Sequence, residues 1–325
     1  MLTAFAVLAA TIAGTTTSQA ETKKYVLDVK LIGVGWFDRM NNGVKAWATA
    51  KGIDATETGA TTADPAKQVA GVQDLVAQKV SGIGVVPNDV ASMEGVLGQA
   101  MTAGITVVTH EAASMVHTNA DIEAFDNTAY GAMIMDNMSK CMGGSGQYAA
   151  FVGHVTAQSH MQWVAGALAE AKAKYPKITR IGAPIESNED STVAYQKTLQ
   201  LFKKYPHLKG IEGSASSDVA GIGQAVDELG LTGKVCVMGT SIPSVAGKYL
   251  KTGAITKIMF WDPAVAGQAI LTIMDQLKGG KALTAGEDLG LAGYHSIKQC
   301  GTLKTTWCGN GWVIVDNKNM ASYPF

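Results

Sequence analysis

The stretch that decides the fold is Tyr25–Trp47, YVLDVKLIGVGWFDRMNNGVKAW. Its first seven residues, YVLDVKL, alternate in character and predict a strand from Tyr25 to Leu31. A glycine pair (Gly33, Gly35) and two adjacent aromatics (Trp36, Phe37) follow, and Val44, Trp47 and Ala48 then mark one face of a helix. The unit recurs downstream. Asp64-Pro65 supplies an N-cap acceptor and a first-turn proline, and Val69, Val72, Leu75 and Val76 recur at helical spacing. SGIGVVP (Ser81–Pro87) is a short apolar strand, Asn88-Asp89 opens a helix carrying Val90, Met93, Val96 and Leu97, and GITVVTHE (Gly104–Glu111) is a strand again. Near-continuous apolar strands alternating with helices predict a parallel sheet covered on both faces.

The segment from Ala112 to Asp121 breaks the rhythm, IEAFDN (Ile122–Asn127) is a strand-like crossing, and from Gln147 the alternation starts afresh through QYAAFVGH, TRIGAPIE, GIEGSA and KVCVMGT. Two helices of this second series end alike, in AKAKYPKI and LFKKYPHL. Lysine suits a helix C-terminus, and proline cannot continue the helix. ITKIMFWDP (Ile255–Pro263), a helix from Val265 to Leu277 and a tail with one last strand, GWVIVDN, complete the chain. Met133, Met135 and Met138 read as core. The fold class is therefore α/β: two similar doubly wound parallel-sheet lobes joined by several crossings that form a hinge. The expected division is 24–125 plus 263–293 for the first lobe and 126–262 plus 294–325 for the second.

Composition excludes several classes. The 325 residues are 47% hydrophobic and 16% charged with formal net charge −1, which suits filled cores and gives no basic footprint for nucleic acid. Residues 1–20, MLTAFAVLAATIAGTTTSQA, join a short apolar run to Ser18-Gln19-Ala20 and read as a secretory signal peptide. Cys300 and Cys308, close together in a turn-rich segment, are expected to form a disulfide after export, whereas Cys141 and Cys236 read as buried free thiols. No His/Cys cluster has metal-ligand spacing, and no cofactor is expected. Gly33-x-Gly35 begins like a dinucleotide fingerprint, but Asp38 stands where the third glycine belongs, and Trp36 and Phe37 block backbone approach to a pyrophosphate. No phosphate loop, nucleophile elbow or metallohydrolase motif occurs, so the chain is read as a binding protein and not an enzyme.

Ligands of open α/β sheets bind beyond the carboxyl ends of the strands. There the sequence offers Lys30, Trp36, Phe37, Asn88 and Glu111 from the first series, and Ser159, His160, Ser214, Ser216, Asp218, Trp261 and Asp262 from the second. Aromatic faces with carboxylates, amides and hydroxyls are the chemistry for a sugar or polyol. Lys30 is costly to bury unpaired, so Glu111 is its expected partner. Asn88, Asp89 and Asp218 serve equally well as helix N-caps, His110 reads as structural, one of Trp36 and Phe37 as core, and Trp163 as facing either cleft or core.

These residues resemble the type 1 periplasmic sugar-binding proteins of ABC transporters, in the branch of the autoinducer-2-binding and rhamnose-binding proteins. The resemblance rests on KLIGVGWFDRMNNGVKAW, on Gly239–Gln268 and on the closing GYHSIKQCGT…CGNGWVIVDNKNMASYPF. It implies that Lys30 matches a ligand-contacting strand lysine and that Asp262 matches the aspartate of an L-W-D motif. Glu111 stands where the branch has aspartate, Ser159-His160 where it has Asp-Gln, and Ser214 and Ser216 where it has Pro and Ala. The wider family, with its ribose binders, favours Asp218 as a hydroxyl acceptor. The implied function is a monomeric periplasmic protein that captures a neutral sugar or polyol between its lobes and delivers it to an inner-membrane ABC permease. The alternatives are a sugar sensor presenting its closed form to a membrane receptor, or autoinducer-2-type ligand binding.

Overall fold

A computed structural model describes residues 23–325, so the expected leader lies outside the described residues. The chain opens with β1 (Lys24–Val29), α1 (Gly35–Lys51), β2 (Asp54–Gly59), α2 (Pro65–Ala77), β3 (Gly82–Val85), α3 (Val90–Thr102), β4 (Thr106–Thr109) and β5 (Ala120–Glu123). It crosses into α4 (Asn127–Met142), β6 (Gly146–Val152), α5 (Gln158–Lys174), β7 (Ile178–Arg180), β8 (Ile185–Glu186), α6 (Ser191–Lys204), β9 (Gly210–Gly213), α7 (Ser216–Glu228), β10 (Cys236–Thr240), α8 (Pro243–Thr252) and β11 (Lys257–Phe260). The remainder is α9 (Pro263–Lys278), β12 (Lys298–Gln299), β13 (Thr306–Cys308), β14 (Val313–Val315) and a 3₁₀ turn at Met320–Ser322.

The strands form two sheets, β12-β13-β5-β4-β3-β1-β2 and β14-β11-β10-β9-β6-β7, with β8 also on β6. All pairings are parallel except β12 with β13 and β14 with β11. The expected boundary at 293/294 moves. β13 pairs in parallel with β5 and β12 follows it, so the segment to Cys308 belongs to the first sheet, and only β14 extends the second. The chain therefore passes between the sheets after β5, after β11 and after β13.

Local signals explain the elements. Asp64 caps α2 through Ala66 N and Lys67 N, and Asp89 caps α3 through Ser92 N. α5 and α6 end at Lys174 and Lys204. The strands β3, β9 and β10 are buried along their whole length, as strands covered on both faces must be. α1 and α9 pack together so closely that a Cβ at Gly43 would run into the Ala264 carbonyl, which leaves glycine as the residue that fits. Met135 and Met138 are buried and Met133 packs partly buried against them.

The cysteines correct one expectation. Cys300–Cys308 is a disulfide, and so is Cys141–Cys236, with a Cα–Cα distance of 6.0 Å and a sequence separation of 95. Cys141 lies in the last turn of α4 and Cys236 begins β10, and the helix packs on that strand.

Candidate functional site

The carboxyl ends of both sheets converge on one narrow cleft between the lobes. Lys30, just past β1, and Glu111, just past β4, form an ion pair at 2.6 Å with both side chains buried. Asn88 steadies this corner from behind: its Nδ2 donates to Lys30 O at 2.9 Å and its backbone N to Gln68 Oε1 at 2.8 Å. Burial alone would raise the Glu111 carboxyl, but the adjacent ammonium brings it down to about 2. Burial opposes the charge on Lys30, yet the carboxylates of Glu111 and Glu189 hold its pKa above the ordinary value.

The second lobe meets this pair directly. Ser159 Oγ donates to Glu111 Oε2 at 2.8 Å, His160 Nε2 lies 3.3 Å from Lys30 Nζ, and Glu189 Oε1 lies 3.9 Å from it. The Gly153 N–H donates to His160 Nδ1 at 3.1 Å. The two ring nitrogens thus both face donors, Nδ1 the Gly153 N–H and Nε2 the Lys30 ammonium. Burial and then Lys30 hold the His160 pKa well below its ordinary value, so the ring is neutral. Burial likewise pushes the Glu189 carboxyl up, with Lys30 opposing.

Aromatic side chains complete the walls. Trp36 meets Trp261 edge-on at 4.8 Å, and Trp163 meets Trp261 at 5.7 Å. Trp36 and Phe37 occupy the first turn of α1 rather than a strand end, so both line the cleft while packing into the core. Trp163 faces the cleft and is also tied by Nε1 to Asn127 Oδ1 at 2.7 Å. Four buried polar atoms on lining residues have no hydrogen-bond partner: Glu189 Oε1, Ser214 Oγ, Ser217 Oγ and Trp261 Nε1. Such atoms are costly to bury unless something supplies the missing bonds.

Of the residues expected from sequence, Lys30, Trp36, Phe37, Glu111, His160, Ser214, Ser216 and Trp261 line the cleft. Asn88 and Ser159 stand behind it and orient Lys30 and Glu111. Asp218 is also one layer back, accepting from Ala215 N at 2.9 Å at the start of α7, with Oδ1 unpartnered. Asp262 is elsewhere. It caps α9 through Ala264 N and grips Arg39 at 2.9 and 2.6 Å, so its carboxylate is already committed. His110 is structural as expected, buried with Nδ1 against the Ile122 carbonyl. Sequence reasoning missed Glu189, Ser217 and Thr240. Thr240 ends β10, so the strand-end rule would have found it. Nothing in SNED (Ser187–Asp190) distinguishes Glu189 from a surface-turn acid.

A family model described as a periplasmic binding protein domain matches residues 25–282. The D-allose-binding periplasmic protein of Escherichia coli (strain K12) is 24% identical over 276 residues, covering 82% of this chain and 88% of that one. The xylitol-binding protein of Mycolicibacterium smegmatis is 27% identical over 271 residues, covering 81% of this chain and 74% of that one. Among solved structures, an ABC transporter solute-binding protein from Clostridium phytofermentas with bound L-rhamnose superposes with a TM-score of 0.85 at 20% identity, over 94% of this chain and 98% of that one. LsrB from Clostridium saccharobutylicum in complex with AI-2 gives 0.84 at 20% identity, over 93% and 100%. At such identities the structural likeness is one of fold.

Proposed function

The chain belongs to the periplasmic binding protein domain family, and on that premise we propose that it captures a neutral sugar or polyol between its lobes and hands it to an ABC importer. The observation that carries this reading is the cleft itself, where aromatic walls enclose a satisfied ion pair beside buried donors and acceptors that lack partners. Hydroxyl groups both donate and accept, so a polyhydroxylated ligand satisfies Glu189, Trp261 and the serines at once. Ring C–H faces suit Trp36, Trp163 and Trp261.

Charge selects against acids. Among the described residues lining the cleft, Lys30 is the sole lysine or arginine, and Glu111 holds it at 2.6 Å. A phosphate or carboxylate would meet Glu111 and Glu189 without a cation of its own. The relatives named for D-allose and xylitol agree with a neutral ligand. We read the protein as a monomer that binds without turnover, acts in the periplasm after removal of residues 1–20, and docks its closed form on a permease.

Thermal melting against monosaccharides and polyols tests this. Ligand at about 100 times its Kd should add about 2.7 kcal/mol of stability. A melting temperature indifferent to D-allose, D-arabinose, xylitol, L-rhamnose and their stereoisomers would overturn the reading. N-terminal sequencing of the exported protein should begin at Glu21.

A further inference from the structure

Two carboxylates face Lys30, and they are not equivalent. Glu111 Oε2 receives Lys30 Nζ at 2.6 Å and Ser159 Oγ at 2.8 Å. Glu189 approaches Lys30 only to 3.9 Å and His160 Nε2 only to 4.0 Å, and its Oε1 is buried without a hydrogen-bond partner. Glu189 itself is 9% exposed. The backbone around it is built to put it there. Ser187 N and Asn188 N donate to Val152 O and Gly153 O, each at 2.9 Å, pinning the loop to the end of β6. A Cβ at Gly153 would collide with the Glu189 carboxylate, so the glycine makes its berth. Glu189 also holds a left-handed backbone conformation, φ 57°, as Glu111 does at φ 60°. Such a conformation is unfavourable for a residue bearing a Cβ and persists where surroundings enforce it. A helix-start acid has no need of this, because Asp190 already caps α6 through Thr192 N and Val193 N.

We propose that Glu189 is a specificity-determining residue of the cleft: its unpartnered carboxylate oxygen accepts a hydrogen bond from one hydroxyl of the bound sugar or polyol, and analogues lacking that hydroxyl are rejected. The proposal rests on the sugar-binding reading above. Glu111 serves the protein, locking Lys30 and joining the lobes through Ser159, while Glu189 serves the ligand. Trp261 Nε1 donates into the same space, so the ligand must accept from the indole and donate to Glu189. A ligand hydroxyl pair does both. An ether or deoxy carbon opposite Glu189 leaves the carboxylate without a partner.

The test compares wild type with Glu189→Gln and Glu189→Asp by calorimetric titration. The probes are D-allose, D-arabinose and xylitol, followed by every monodeoxy analogue of whichever binds most tightly. Wild type should bind one deoxy analogue about 30-fold more weakly than the parent, as loss of a hydrogen bond to a charged group predicts. E189Q, whose amide oxygen still accepts but carries no charge, should bind the parent more weakly and discriminate less between parent and that analogue. E189D should weaken binding but keep the discrimination. E189Q without ligand should melt close to the wild-type temperature, since Glu189 makes no hydrogen bond there and meets Lys30 only at 3.9 Å. Equal affinity of wild type and E189Q for the parent sugar overturns the proposal while leaving the sugar-binding reading intact. A wild-type protein blind to the whole panel overturns both.

Discussion

The two lobes share a framework and differ in what they bring to the cleft. The first presents an ion pair, Lys30 with Glu111, flanked by the rings of Trp36 and Phe37. The second presents hydroxyls from Ser214 and Ser217, a neutral imidazole, and a carboxylate with an unpartnered oxygen. The apolar strands that build each sheet are of one kind, while the residues just beyond them are not. A repeated βα pattern thus sets where a site lies, and a few residues outside the pattern set what it binds.

The comparison can be broken first at its covalent stitching. The second lobe's Cys141–Cys236 bridge spans 95 residues and the first lobe's Cys300–Cys308 spans 8. Loop-closure entropy predicts losses of about 4.7 kcal/mol for the C141A/C236A protein and about 2.6 kcal/mol for C300A/C308A. Equal losses in urea denaturation would mean that native-state contacts, not loop length, set the difference.

Next in size is the first lobe's ion pair. Lys30→Met should cost about 3–5 kcal/mol, because it strands Glu111 in a buried site, and sugar binding should vanish with it. Adding Glu111→Leu should restore most of the stability and none of the binding. A Lys30→Met protein as stable as wild type would show that the pair is solvated in solution.

A third test contrasts Glu111 with Glu212, on β9 of the second lobe. Both Glu212 carboxylate oxygens are buried without partners, and burial pushes the group up to about 8. The folded state therefore keeps a proton that the unfolded chain gives up above its ordinary pKa of 4.5. Stability from this group is complete below about 4.5 and falls as pH rises through about 8, with a slope of up to about 1.4 kcal/mol per pH unit. Glu111, held down to about 2, acts in the opposite sense, with stability present above about 4.5 and lost as pH falls toward 2. Glu212→Gln should reduce the alkaline slope by one group's share and leave the acid one, because burial also raises Asp28, Glu57, Asp121 and Asp218 to about 7 or 8; an alkaline slope unchanged in the variant would show that Glu212 is already ionised in the folded protein.

Smaller effects sharpen the contacts between lobes. Ser159→Ala removes a buried hydrogen bond to an ionised group and should lower the melting free energy by about 1.5 kcal/mol, with a larger radius of gyration in solution scattering. Phe325→Ala is smallest. The Phe325 ring lies 4.0 Å from the Arg39 guanidinium, linking the tail of the second lobe to α1, and its loss should cost about 0.5–1 kcal/mol. No change in either variant would mean the lobes meet without help from these contacts.

The alternation of strands and helices was legible because parallel strands are apolar throughout and their helices carry proline and aspartate starts. Lys30 was legible for the opposite reason: an ammonium in an apolar strand demands a partner, and Glu111 is that partner. What escaped depends on contacts far apart in the chain. Cys141 and Cys236 are separated by 95 residues, and only the packing of α4 on β10 joins them. Glu189 reads as one more acid in a polar turn until β6 and Gly153 bury it. Asp262 was drawn to the ligand by its place beside Trp261, but Arg39, from a different helix, holds its carboxylate. Residues 294–325 read as second lobe throughout, but β13 returns to pair with β5 of the first.

That return has a consequence for how the protein is made. The parallel strands of the second sheet all lie between Gly146 and Phe260, uninterrupted by any part of the first. The first lobe, begun at Lys24, lacks α9 until residue 278 and its β12–β13 pair until residue 308 has been synthesised. On an emerging chain the lobe begun first is therefore finished after the parallel core of its neighbour. β5 waits as an unpaired edge through the interval, and an exposed edge invites pairing with another chain. A factor that holds the nascent chain would have most to protect between the emergence of β5 and that of β13.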